Sequence, residues 1–313
     1  RGSASGAPAT WAQAIENYEA DLKARGGSRF NAWQVRNHLT AHAPALLAKP
    51  VALLTAAELT HWRNSLIEAG TLKPSSVLRI VKSAQASLNY AAAHDTRIAN
   101  REVWRVGLGG LHDTYHPIDR IQPDAIVHRI MAEADALDPA FGAFVAVAAE
   151  TGARASQIAR LTVADLQADG LTMPSSRKGR KRTITRRLVP IGHDLAARLK
   201  RAAGNRAPDA PLLLRADGSA WRPENKCHLQ NPFAIVAKRA GISESMYCLR
   251  HSAIVRALLA NVPARLVAAN ADTSLVQLER TYSRFISDAG ADVARRGLLG
   301  ATGNVVTLKK RRA

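Results

Sequence analysis

The sequence predicts a mainly α protein with a small antiparallel β-sheet, divided into a helical domain and a mixed α+β domain that follows it. Three observations carry this. Apolar residues recur at helical spacing from residue 10 to about 105, with no alternating stretch among them. A polar segment rich in Gly and Pro, VGLGGLHDTYHPIDRIQP at 106–123, then interrupts the pattern. Beyond it, short extended pieces alternate with helical ones. The 313 residues are enough for two separate cores, since domains usually run about 100–200 residues.

The opening RGSASGAPAT reads as a tag remnant and linker over 1–9. Thr10 is placed to cap a first helix whose Trp11, Ile15, Tyr18 and Leu22 share a face, with Gly26-Gly27 as its stop. A second helix is expected over 30–39, punctuated afterwards by Pro44 and Pro50. Thr55, with Glu58 three residues on, has the form of a capping box, and Gly70 ends that helix. After Pro74 a longer helix carries Val77, Ile80, Val81, Ala84 and Leu88 on one face, with Lys73, Arg79 and Lys82 near its start. The domain boundary is expected in a linker at 106–120, giving a helical domain at 10–105, a second domain at 121–300 and a basic tail at 301–313.

In the second domain a helix is expected over 124–136. Pro139 then opens AFGAFVAVAAETG, apolar all round and therefore a buried helix, which Gly152 breaks. Extended pieces are expected at 161–166, 171–174 and 183–191, the last two flanking the turn SSRKGRKR. Helices follow at 193–203, about 223–239, 248–260, 263–269 and 274–286.

The chain carries 44 Lys+Arg against 25 Asp+Glu, a net charge of +19. The excess is spread: residues 1–110 hold 13 basic against 7 acidic residues, and the remainder 31 against 18. A basic balance in both halves points to a polyanionic partner, most simply nucleic acid. No apolar run approaches the ~20 residues of a membrane span, and no charged-then-apolar leader is present. Cys227 and Cys248 cannot form a disulfide framework or a four-ligand zinc site by themselves. The expected setting is cytoplasmic, nucleoid-associated, with no metal and no cofactor. His38 and His42 have ligand-like spacing, but Pro44 interrupts their helix and they read as surface residues.

Five stretches could carry phosphate chemistry. TGAR at 151–154 places Arg154 directly after a buried helix, an unusual position for a solvated charge. In the run at 177–187, which begins in the turn SSRKGRKR, seven of eleven residues are basic, among them Arg177, Lys178, Arg180, Lys181 and Arg182. YCLRH at 247–251 joins Tyr247, Arg250 and His251 at the start of an apolar helix. Thr273 lies ahead of the last helix, and Tyr282 lies on it between Arg280 and Arg284. Guanidinium groups can clamp phosphate oxygens through paired hydrogen bonds, a tyrosine can serve as nucleophile, and a lysine can protonate a leaving oxygen.

Over 129 residues, from 154 to 282, the order Arg, Lys, Tyr-x-x-Arg-His, Tyr resembles the catalytic domain of the tyrosine recombinases, the phage integrase family, in a bacterial phage or genomic-island branch. The resemblance implies a helical, SAM-like core-binding domain followed by the catalytic domain. It implies site-specific DNA breakage and rejoining through a 3′-phosphotyrosine and a Holliday junction. Tyr282 would be the nucleophile, Arg154 and Arg250 the phosphate clamp, and Lys178 the general acid, with Lys181 the alternative. Tyr247 and Thr273 stand where the family usually has His and His or Trp, and Gln157 where it usually has an acid; the hydroxyls can still bond a phosphate oxygen. His251 is either a supporting donor or a satisfied core histidine. Lys73, Arg79, Lys82, Arg177, Arg180, Lys181 and Arg182 would contact DNA. The implied partners are duplex DNA with inverted-repeat core sites, three further copies of the chain in a homotetramer on DNA, and accessory DNA-bending proteins, with no membrane. A type IB topoisomerase, a non-catalytic DNA-binding regulator and a helical scaffold without nucleic acid are the competing readings, ranked below in that order.

Overall fold

The computed structural model describes residues 8–26, 29–111, 121–176 and 184–288. The chain divides into two compact units, Arg1–His116 and Pro117–Ala313.

The first unit is helical: α1 (Trp11–Ala24), α2 (Arg29–His42), α3 (Pro44–Leu47), α4 (Ala56–Glu68), α5 (Pro74–His94) and α6 (Arg101–Gly107). Both capping signals in the sequence form. Thr10 and Gln13 bond reciprocally at the start of α1, and Thr55 and Glu58 do so at α4. The face of α5 chosen from its spacing is the buried one, with Val77, Ile80, Val81, Ala84 and Leu88 all in the core. Three tryptophans bury their rings there and satisfy each indole N–H: Trp11 donates to Ser87 Oγ at 3.0 Å, Trp62 to the His42 carbonyl at 2.6 Å and Trp104 to Asn89 Oδ1 at 2.9 Å. Where α6 crosses α4, a Cβ on Gly107 would meet the Ala56 carbonyl and Leu59 Cβ at 2.8 Å, so only glycine allows this approach.

Two boundaries differ from the sequence reading. The Ala9 carbonyl accepts from the Val51 N–H at 3.0 Å, so residue 9 belongs to the fold and not to a linker. The region read as linker from 106 begins inside α6, and Leu108 and Leu111 still pack on the helical core. Glycine density signalled a break where close helix packing required the glycine. His38 and His42 are half-buried, His38 lying 3.3 Å from Ser83 Oγ.

The second unit comprises α7 (Asp124–Leu137), α8 (Pro139–Thr151), α9 (Ala155–Ile158), β1 (Gly170–Pro174), β2 (Arg186–Pro190), α10 (His193–Ala203), α11 (Gln230–Ala240), α12 (Tyr247–Leu259), α13 (Ala264–Asn270) and α14 (Leu275–Asp288). Its core is built around α8, whose residues from Phe141 to Ala149 are all buried. The strands pair antiparallel, Gly170 opposite Pro190 and Pro174 opposite Arg186. The turn between them, including Lys178, lies outside the described residues.

Three expectations are corrected. Residues 161–166 are not a strand: Val163–Asp165 forms a 3-10 turn, because Asp165 accepts from the backbone N–H of Thr162 at 2.9 Å and from its hydroxyl at 3.0 Å. The helix expected from 223 starts only at Gln230, after a run of turns. The last helix is not continuous, since Tyr282 has non-helical angles (φ −129°, ψ 17°) and joins two helical pieces. Among the described residues, no helix is long and apolar enough to cross a membrane, and no group of three or more His, Cys, Asp or Glu could hold a metal ion.

Candidate active site

The site gathers around the end of α8. Gly152 terminates that helix in the left-handed conformation (φ +64°), and a Cβ there would press on Ala253 Cβ of α12 at 3.2 Å. The tight reversal brings two arginines from distant parts of the sequence together. Arg250, on the first turn of α12, is 4% exposed. Its Nη1 donates to the Gly152 carbonyl and its Nη2 to the Ala271 carbonyl, both at 2.6 Å. Arg154 follows the turn and caps α9. Its Nη1 donates to the Asp272 carbonyl at 2.9 Å and to Asp272 Oδ2 at 3.0 Å. Burial pushes the Arg250 guanidinium below its ordinary value, and the neighbouring Arg154 charge pushes the same way. A desolvated guanidinium beside a second one is an environment in which a negative charge is favoured.

The tyrosines predicted from the sequence flank this pair. Tyr247 is about half exposed, with the Arg250 guanidinium carbon 5.9 Å from its ring centre and the His251 ring against it at 4.9 Å. Tyr282 is buried at 4% exposure beside Leu278, and its phenol oxygen lies 2.6 Å from Nδ1 of His251. The phenols of both tyrosines favour the charge on Arg250. His251, 8% exposed, is thus a buried histidine in hydrogen-bond contact with the candidate nucleophile. A histidine nitrogen at this distance can accept the phenol proton.

Thr273 sits half-buried between Asp272 and the Ser274 cap of α14. Gln157 is 2% exposed; its Oε1 accepts from the Arg154 N–H at 3.0 Å and its Nε2 donates to the Pro174 carbonyl at 2.7 Å, tying α9 to the base of the β-hairpin. Arg160 adds a second tie, donating to the Ser175 carbonyl at 2.8 Å. The hairpin turn that bears Arg177, Lys178, Arg180, Lys181 and Arg182 is outside the described residues, but its base is anchored to Arg154's helix. In the helical unit, Arg79 and Lys82 are exposed on α5, and Lys73, also exposed, immediately precedes it.

Sequence reasoning missed Asp272, the carboxylate against Arg154. Its only local signal is the position after α13, where it adopts φ +49° and the Thr273 N–H bonds back to the Ala268 carbonyl at 2.9 Å. Cys248, read as core, is 1% exposed, and burial pushes its thiol up to about 11.

No family model matches the chain, and no curated protein matches it in sequence. Solved structures do resemble it. The Tn1549 transposon integrase in complex with transposon right-end DNA superposes with a TM-score of 0.68 at 16% identity, over 93% of this chain and 100% of that one. A lambda integrase dimer bound to a COC′ core site gives 0.67 at 15% identity, over 86% of this chain and 97% of that one. A lambda integrase tetramer bound to a Holliday junction gives 0.67 at 15% identity, over 88% and 78%. The chain has the tyrosine recombinase fold, mainly α with a small antiparallel sheet.

Proposed function

We propose that the chain is a site-specific DNA recombinase that cuts and rejoins duplex DNA through a 3′-phosphotyrosine. The observation that carries this reading is the contact between Tyr282 and His251, next in sequence to a buried arginine that is paired with a second one. The Tyr282 oxygen attacks the phosphorus and its proton passes to Nδ1 of His251. Arg154 and Arg250 hold the non-bridging oxygens, whose charge grows as the bond to the 5′ oxygen breaks. The departing 5′ oxygen takes a proton from a lysine of the basic turn, Lys178 or Lys181. In the reverse step a 5′ hydroxyl attacks the phosphotyrosine and frees Tyr282. The phosphate ester bond is exchanged and not hydrolysed, so no cofactor is needed.

Tyr247 and Thr273 are assigned as hydroxyl donors to the phosphate. Lys73, Arg79 and Lys82 are assigned to the DNA backbone, together with Arg177, Arg180, Lys181 and Arg182. Such contacts make binding strongly salt-dependent. Four copies acting through a Holliday junction is the assembly proposed, by analogy with the lambda integrase tetramer bound to one. A helical DNA-binding domain that runs on at least to Leu111, a catalytic domain near 121–300 and accessory DNA-bending proteins complete the proposal.

The test is covalent trapping on nicked duplex DNA taken from the ends of the native element, followed on a denaturing gel. An adduct with wild type and none with Tyr282→Phe is the expected result. An adduct in both would discard Tyr282 as nucleophile. No adduct in wild type despite tight, salt-sensitive binding would leave a DNA-binding protein. A plasmid with two sites separates strand exchange from the nicking and closing of a topoisomerase.

A further inference from the structure

Asp272 holds more of the site together than any other acidic residue described in it. Its Oδ2 accepts from Arg154 Nη1 at 3.0 Å, from the Ser176 backbone N–H at 2.8 Å and from Gln157 Nε2 at 3.4 Å, while its carbonyl accepts from the same Nη1 at 2.9 Å. One residue thus engages the guanidinium, the helix that carries it, and the strand end that leads into the basic turn. Nη1 makes its two shorter bonds to Asp272, with Ser176 Oγ more distant at 3.5 Å. Among the described residues, Nη2 and Nε of Arg154 donate to nothing and are available to an anion. The residue adopts φ +49°, where a side chain is disfavoured, and the turn around it would accept glycine without strain. Aspartate is among the few residues with a side chain that adopt this conformation readily, and here its carboxylate is turned onto Arg154.

We infer that Asp272 is the positioning residue of Arg154: it fixes the guanidinium plane so that the outer donors face the phosphate, and it pins the base of the basic turn to the same point. This rests on the recombinase reading above. A single carboxylate beside two guanidiniums also leaves the pair with one uncompensated positive charge, so the site can orient Arg154 and still attract a phosphate. The carboxylate acts through Arg154 and touches no reacting atom.

Asp272→Gly keeps the backbone, because glycine takes the positive φ freely, and removes the carboxylate. Asp272→Asn keeps the shape and removes the charge. Single-turnover adduct formation on the nicked duplex at saturating DNA, and DNA affinity measured separately, are compared with wild type. The expected result is a rate lowered about 10²-fold in Asp272→Gly, as for a misplaced catalytic group, a smaller drop in Asp272→Asn, and a loss of DNA affinity far smaller than the loss of rate. Added sodium formate is expected to restore part of the Asp272→Gly rate and to leave wild type unaffected, which a purely structural role would not produce. Wild-type rates in both variants, or a slow Asp272→Gly that formate does not help, would overturn the assignment while the recombinase reading stands. Absence of any adduct in wild type would overturn the recombinase reading and this inference with it.

Discussion

Two helix starts in this molecule use the same three-residue spacing to different ends. At α4, Thr55 and Glu58 close on each other: Thr55 Oγ1 accepts from the Glu58 N–H at 3.3 Å, and Glu58 Oε2 accepts from the Thr55 N–H at 3.0 Å. Lys49, nine residues away, completes the group at 2.5 Å from Glu58 Oε1. At α9, Gln157 Oε1 accepts from the Arg154 N–H in the same way, but the remaining bonds leave the neighbourhood. Gln157 reaches Pro174, and Arg154 reaches Asp272, 118 residues along the chain. The first start only begins a helix. The second is a joint at which α9, the hairpin base and the α13–α14 turn meet. The same local device becomes a functional site when its free ends are satisfied by distant chain.

The largest expected effect tests how far the site depends on that joint. Arg250→Ala strands the Gly152 and Ala271 carbonyls in the core and should cost about 3 kcal/mol of stability. It should also lower adduct formation by about 10²–10³-fold. Arg154→Ala should lower adduct formation comparably with a much smaller loss of stability, because its partners Asp272 and Ser176 are less buried. DNA affinity should fall only modestly in both. Denaturant unfolding beside trapping separates the two arginines, and equal stability losses would mean that Arg154 is as structural as Arg250.

A smaller effect is expected at the local start. Thr55→Ala should cost about 1 kcal/mol and leave the adduct rate per folded molecule unchanged; a change in that rate would erase the contrast between the two helix starts. Glu58 adds a pH signature. The hydrogen bonds from Lys49 and Thr55 hold its carboxyl down at about 2, against an ordinary 4.5. A depressed carboxyl stabilises the folded state above its unfolded value, and that contribution fades as pH falls from about 4.5 toward 2. Because the side chain is well exposed, no more than about 1 kcal/mol is expected. Glu58→Gln should therefore be less stable than wild type at pH 7 and converge with it near pH 2. A gap that persists at low pH would count against the ion pair as its source. The smallest effect is chemical: an alkylating reagent at neutral pH should label exposed Cys227 in the native protein and spare Cys248, whose thiol burial raises to about 11. Labelling of both by mass spectrometry would show that α12 opens.

Much of this was legible from residues acting on their own neighbours. Thr10, Thr55 and Glu58 cap where their spacing said they would, and the apolar stripe of α5 is the face that is buried. The all-apolar α8 and its stop at Gly152 follow from composition and from one left-handed residue. The pairing of the strand at Gly170–Pro174 with that at Arg186–Pro190 was expected from the extended pieces that flank a turn. Errors came where one residue overrode a pattern: the Asp165 carboxylate bent residues 161–166 into a 3-10 turn, and Gly107, by lacking a side chain, allowed a helix crossing where a linker was expected.

What the sequence by itself determined was therefore the helices, their buried faces, and which residue types could handle a phosphate. Periodicity, caps and charge act over a few residues, and a linear reading sees them. Only the tertiary structure decided that His251 meets Tyr282, that Tyr282 sits at a break in its helix, and that Asp272 holds Arg154. The two contacts join residues 31 and 118 positions apart. A hydrogen bond or ion pair is set by distance in space, and only the packed cores bring those residues together.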